Sequence, residues 1–170
     1  METFLSQAES LGERPFLYFH QDGDWRCLSW AEARDRVLRV AAALAAEGVR
    51  PGDRVALISE NRFEWVLADF GIQAAAAVSV PIFPSLLPVT VHAIVEDCGA
   101  VVGLAGTQEL AHKILGAGAL RRVVTFEPDL AWQSCPAAEC PCRPADPGQR
   151  STPAHRGQVA LLRQWRRSPE

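Results

Sequence analysis

Residues able to do chemistry are few and scattered. His92, Glu96 and Asp97 make up a histidine–carboxylate grouping. His92 and Glu96 stand at i, i+4, which on a helix places them on one face. General acid–base work uses such pairs, but so does an ordinary solvated helix face, and that is the reading adopted. Cys135, Cys140 and Cys142, with His155 thirteen residues further on, offer the thiolate and imidazole donors that zinc takes. No C-x-x-C pair occurs, so unpaired cysteines are the preferred reading. Cys27 and Cys98 sit singly in regular segments and are expected to be buried thiols. His20 reads as a turn-flanking surface residue, and His112 with Lys113 as the polar face of a short helix. Pro51-Gly52-Asp53 reads as a turn before a strand, not as an acid. The chain has no G-x-x-x-x-G-K-[ST], no G-x-G-x-x-G after a strand and no G-x-S-x-G.

The elements that would position these groups are legible over residues 16–126. Phe16–Phe19 and Trp25–Leu28 flank Gln21-Asp22-Gly23-Asp24, and Asp-Gly is a favoured hairpin pair. Ser29-Trp30-Ala31-Glu32 matches a capping box. Ala33, Val37, Val40, Ala41 and Leu44 then give the apolar face of a helix, with Gly48 as its stop. Arg54–Ser59 is a short apolar run, as expected for a strand covered on both faces. Asn61 is expected to cap the next helix with Glu64 completing the box, and Trp65, Ala68, Asp69 and Ile72 to lie along it. Val78–Ile82 is predicted as a second buried strand. A helix from Pro88 to Cys98, a strand at Val101–Leu104, a helix capped by Thr107 and a strand at Arg122–Phe126 complete the series.

A hairpin followed by regular α–β alternation predicts an α/β fold: a partial parallel sheet with flanking helices, preceded by a β-hairpin. Ligands of such sheets bind beyond the carboxyl ends of the strands. The loops there are Glu60-Asn61, Phe83-Pro84-Ser85 and Ala105-Gly106-Thr107.

Composition narrows the function classes. The chain has 170 residues, 48% of them apolar and 22% charged, with a net charge of −3. A packed core is within reach, and no basic field favours nucleic acid. No apolar run is long enough for a transmembrane segment, and the N-terminus lacks a secretory pattern, so the expected location is cytoplasmic. Character changes near residue 126. Residues 127–170 hold 7 of the 12 prolines and 3 of the 5 cysteines, and only Leu130, Val159, Leu161 and Leu162 from the Leu/Ile/Val/Phe set. Such a stretch buries too little apolar surface to offset the entropy of ordering it. The chain also has 16 Arg against the single Lys113, a bias that goes with a GC-rich gene. The expected organisation is a lobe over 1–126 and a disordered or frameshifted tail over 127–170.

Two stretches carry a resemblance. Leu44–Leu57 with Ser59-Glu60-Asn61-Arg62-Phe63-Glu64-Trp65, and Ala77–Ser85 with its Pro88 helix and Glu96–Ala100, resemble the N-terminal lobe of AMP-forming acyl-CoA synthetases. Glu60–Trp65 and Val80-Pro81-Ile82-Phe83-Pro84 look most like the long-chain fatty acid–CoA ligase branch. The resemblance implies an incomplete N-terminal lobe of that fold, and a reaction of fatty acid, ATP with Mg²⁺, and CoA. It also implies that Phe83, Pro84 and Ser85 lie near the CoA path; the residues alone read as a proline-stiffened strand-to-helix turn. The family's phosphate loop, its Thr-Glu pair, its ribose aspartate and its C-terminal lysine are not found, so no catalytic residue is assigned. The chain is expected to be inactive alone, or else to be a binding module built on the same lobe. An incomplete sheet should expose apolar surface and an edge, and so self-associate. The family usually has Gly where Ala76 stands and Thr where Ser85 stands; crowding of a helix–strand contact is the cost expected at Ala76.

Overall fold

The computed structural model describes residues 1–21 and 23–126. The chain opens with a helix, α1 (Glu2–Leu11), and a hairpin of β1 (Pro15–Gln21) and β2 (Asp24–Ser29). Then come α2 (Trp30–Ala46), β3 (Arg54–Ile58), α3 (Phe63–Ala74), β4 (Val78–Ile82), α4 (Pro88–Cys98), β5 (Val102–Ala105), α5 (Gln108–Ile114) and β6 (Arg122–Thr125). β1 and β2 pair antiparallel, while β4-β3-β5-β6, in that order, form a parallel sheet. The tail expected over 127–170, with its cysteine cluster and His155, lies outside the described residues.

β3 explains the layering. Its side chains alternate between two cores, Val55 and Leu57 on one face, Ala56 and Ile58 on the other. The first core is closed by α1, α2 and α3 through Phe4, Val37, Val40, Leu44, Leu67 and Ile72. The second is closed by α4 and α5 through Val91, Val95, Leu110 and Ile114. A right-handed crossover moving outward to β4 puts α3 on one face, and the return across β3 to β5 puts α4 on the other.

Helix ends follow local chemistry. Ser29 Oγ accepts from Glu32 N (3.2 Å), and Glu32 Oε2 accepts from Ser29 N (2.8 Å), a complete capping box. At the other end of α2, Val49 N reaches back to Leu44 O (3.0 Å) and Gly48 N to Ala45 O (2.9 Å), the paired bonds of a Schellman turn. α3 ends the same way, with Ala77 N on Ile72 O (3.1 Å) and Ala76 N on Gln73 O (3.0 Å). Ala76 must therefore take the left-handed conformation (φ 55°), as no other described non-glycine residue does. The preference for glycine here is conformational, and this replaces the crowding expected from the sequence; Ala76 itself is exposed.

Two further expectations are corrected, those on β4 and on the cap of α3, and α1 is an element that the sequence reading does not contain. No side chain caps it, but Phe4 and Ala8 are buried, and Phe4 joins Phe16, Trp30 and Phe70 at ring distances of 4.8–5.8 Å. β4 is not a buried strand: it forms the sheet edge, with Val78 48% exposed. Val78 N points inward to Asp53 O (2.8 Å), so alternation turns the nitrogen of Pro81 outward, where a strand edge tolerates proline. α3 is capped not by Asn61 but from Arg62, with no side-chain capping bond. Its buried face is Glu64, Leu67, Ala68, Gly71 and Ile72. Trp65 and Asp69 lie along α3 as expected and are half-buried, and Gly71 faces α2.

A Cβ at Gly71 would lie 2.5 Å from Val40 Cβ. Gly71→Ala is therefore expected to destabilise by about 1–3 kcal/mol through overpacking, and Val40→Ala in the same chain not to restore the loss, because alanine keeps the Cβ that the new methyl meets. Ala76→Gly is expected to stabilise by about 0.5–1 kcal/mol by removing the left-handed penalty. Urea unfolding of the variants checks both; a neutral Gly71→Ala or a destabilising Ala76→Gly contradicts these assignments.

Candidate functional site

The carboxyl ends of the four parallel strands lie along one edge, at Ser59, Phe83, Gly106 and Phe126. The sequence placed its three candidate loops here, and parallel pairing brings them to this edge.

The β4–α4 loop is a β-turn in which Leu86 N bonds Phe83 O (3.2 Å) with Pro84 at the second position. Phe83 is 76% exposed, and Leu87 and Val89 just beyond are 68% and 74% exposed. Ser85 is exposed and Pro84 half-buried. The loop is not loose, however. Lys113 Nζ, from α5, donates to Pro84 O. His92, from α4, bonds Lys113 O through Nε2 at 3.1 Å. Lys113 is thus not simply part of a solvated helix face, because its ammonium ties α5 to the β4–α4 turn. His92 pairs with that backbone carbonyl, while Glu96 and Asp97 are exposed, so the His–Glu–Asp grouping is not assembled as a proton-transfer site.

Sequence reasoning missed the group at the centre of the edge. Arg62 Nε meets Glu64 Oε2 at 2.9 Å and Arg62 Nη2 meets Glu64 Oε1 at 3.1 Å, a bidentate pair. Arg62 Nη1 donates to Gly106 O at 2.8 Å, and the guanidinium carbon lies 5.9 Å from the centre of the Phe126 ring. Glu64 is 3% exposed. Gly106 N bonds Ile58 O (2.8 Å), and a Cβ at Gly106 would sit 2.8 Å from Ser59 Cβ. The signal was available: Glu64 begins the i, i+3, i+4, i+7, i+8 face that α3 buries, and a carboxylate on such a face needs a cation beside it.

Other candidates fall as follows. Cys27 is exposed and Cys98 half-buried, against the expectation of buried thiols. The two-stranded hairpin packs only one of its faces, and Cys27 stands opposite the exposed Tyr18 on the other. His20 is a surface residue, its ring edge-on to Trp25. Asp53 Oδ2 accepts from Arg50 N (2.9 Å), which confirms a turn role. Among the described residues, no three His, Cys, Asp or Glu side chains gather in a metal-holding group. No described helix is long and apolar enough to cross a membrane.

The family pattern described as AMP-binding enzyme matches residues 4–162. The chain belongs to that family. A long-chain-fatty-acid–CoA ligase of Mycobacterium bovis is 39% identical over 90 residues, 53% of this chain and 15% of the ligase. A feruloyl-CoA synthase of Amycolatopsis is 43% identical over 107 residues, 61% of this chain and 21% of the synthase. A solved fatty acyl CoA synthetase of Mycobacterium tuberculosis superposes with a TM-score of 0.64 at 26% identity, covering 72% of this chain and 26% of that one. The resemblance to acyl-CoA synthetases and the α/β lobe expected from it are both borne out. The chain spans about a fifth or less of the length of these curated relatives.

Lys113→Met is expected to leave global stability within about 1 kcal/mol of the parent, since one hydrogen bond is lost. It should raise amide exchange of Leu86, whose N–H closes the Phe83–Leu86 turn, severalfold. Unchanged Leu86 exchange, measured by NMR, contradicts the tie.

Proposed function

We propose that this lobe belongs to an AMP-forming acyl-CoA synthetase acting on a fatty acid, and that the 170-residue polypeptide alone does not perform the reaction. In full that reaction joins a fatty acid to CoA, with ATP and Mg²⁺ consumed to AMP and pyrophosphate. One observation carries the second half of the reading. The crevice between the ends of β3 and β5, where an open α/β sheet takes its ligand, is filled by Arg62 and by the Ser59–Gly106 contact. The described residues therefore do not fit a triphosphate there. A phosphate needs several converging N–H donors or cations, and the Arg62 guanidinium is already engaged by Glu64 and Gly106. No step through ATP or its metal is assigned to this chain.

Phe83, Pro84 and Ser85 are proposed to border the CoA path, supported by their place at the carboxyl edge and by a turn that Lys113 holds in one shape. A second reading, a binding module without catalysis, is favoured by the exposed ridge of Phe83, Leu87 and Val89. Isolated apolar side chains at a surface are ordinary, but three on a fixed turn and the adjoining helix start make a patch that a partner or ligand can use. The same patch gives copies of the chain a means to associate.

Pyrophosphate exchange into ATP, measured with palmitate and the purified 170-residue chain, is expected to stay at the blank level. Acid-dependent AMP formation overturns the proposed inactivity. A CoA-dependent rise in melting temperature without turnover favours the binding reading.

A further inference from the structure

We infer that Arg62 is a positioning residue: its guanidinium occupies the switch point of the sheet in place of a ligand and sets the relative placement of the chain exits from β3, β5 and β6. The strand order β4-β3-β5-β6 puts that switch point between β3 and β5, because the chain leaves β3 toward α3 on one face and β5 toward α5 on the other. Diverging exits leave a crevice, and in this chain Arg62 crosses it. It starts from the β3–α3 connection, bonds Gly106 O on the β5–α5 connection at 2.8 Å, and lies over Phe126 at the end of β6. Glu64 fixes the orientation by holding Nε and Nη2, which leaves Nη1 directed at Gly106.

Each part of the arrangement needs the others. Gly106 can approach β3 only because it has no Cβ, and its carbonyl then lies within reach of Arg62. A buried Glu64 is tolerated only with its cation, since a carboxylate at 3% exposure without one is strongly unfavourable. The planar fork makes two parallel bonds to the carboxylate and one to the carbonyl while presenting its face to an aromatic ring, which the point charge of lysine cannot do. The inference rests on the same Arg62 contacts as the proposed inactivity, but amide exchange and pyrophosphate exchange are read separately, so the failure of one is distinguishable from the failure of the other.

The test compares the full chain with Arg62→Ala and Arg62→Lys by amide exchange, with and without millimolar methylguanidinium. The reporters are Gly106 N–H, which bonds Ile58 O, and Phe126 N–H, which bonds Ala105 O. In Arg62→Ala both are expected to exchange roughly tenfold faster relative to Val91 in α4, marking a local opening and not a global one. Methylguanidinium should slow them again in Arg62→Ala while leaving the parent unchanged. Arg62→Lys keeps the charge and should show the same local acceleration, which covers the case in which the alanine variant does not fold. Uniform acceleration across both cores, no response of Arg62→Ala to methylguanidinium, or parental exchange in Arg62→Lys each overturns the inference.

Discussion

The side chains of β3 enter two separate cores in alternation, so both faces of this strand must be covered at once. That requirement is met by handing the chain from one face to the other. α2 and α3, with α1 over them, close the Val55/Leu57 side, and α4 and α5 close the Ala56/Ile58 side. The reversal creates the switch point, and the switch point creates the crevice that Arg62 spans. The carboxyl edge of the sheet is thus a consequence of burying Val55–Ile58, not an independent feature.

Arginine completes both ends of the sheet by different means. At the amino edge Arg54 donates to Cys98 O (2.7 Å) and Gly99 O (3.1 Å), so that the last carbonyls of α4 meet a cation. Arg122 pairs with Glu47 at the end of α2, and Arg121 bonds Gly48 O (3.2 Å). These contacts fasten helix ends to strand starts and engage all three guanidinium groups within the fold. At the carboxyl edge Arg62 holds Gly106 O in the same way, but the turn beside it carries exposed apolar side chains. The asymmetry between the two edges matches the general division between a structural and a functional end in open parallel sheets.

Much of this was legible from residue types. Asp22-Gly23 between aromatic strands, the Ser29/Glu32 box, Gly48 and Gly99 after their helices, Pro88 at the first position of its helix and Thr107 before its own each act within a few residues, and the structure bears out the helices and strands they bound. What was missed depended on distant partners. α1 is held by a four-ring cluster drawn from α1, β1, α2 and α3, and although Gly12 closes its end, no side-chain cap announces its start. The edge position of β4 depends on strand order, although Pro81 was a hint. Glu64 fits a capping box because capping is local, whereas its burial follows from Gly71 allowing α2 to close on α3. The tie from Lys113 to Pro84 spans 29 residues and has no sequence signature.

The same distinction bears on the candidate site. The three loops could be placed at one edge because parallel strands must point the same way, so Glu60-Asn61, Phe83–Ser85 and Ala105–Thr107 followed from alternation alone. Which of them touch did not follow. The structure joins the first and third through Arg62 and fastens the second separately to α5. On the ligase reading this separation has a physical use. The joined pair is closed by its own side chains and acts as a fixed floor. The Phe83 turn, held at its backbone by Lys113 but open at its side chains, is the portion of the edge still able to meet something else.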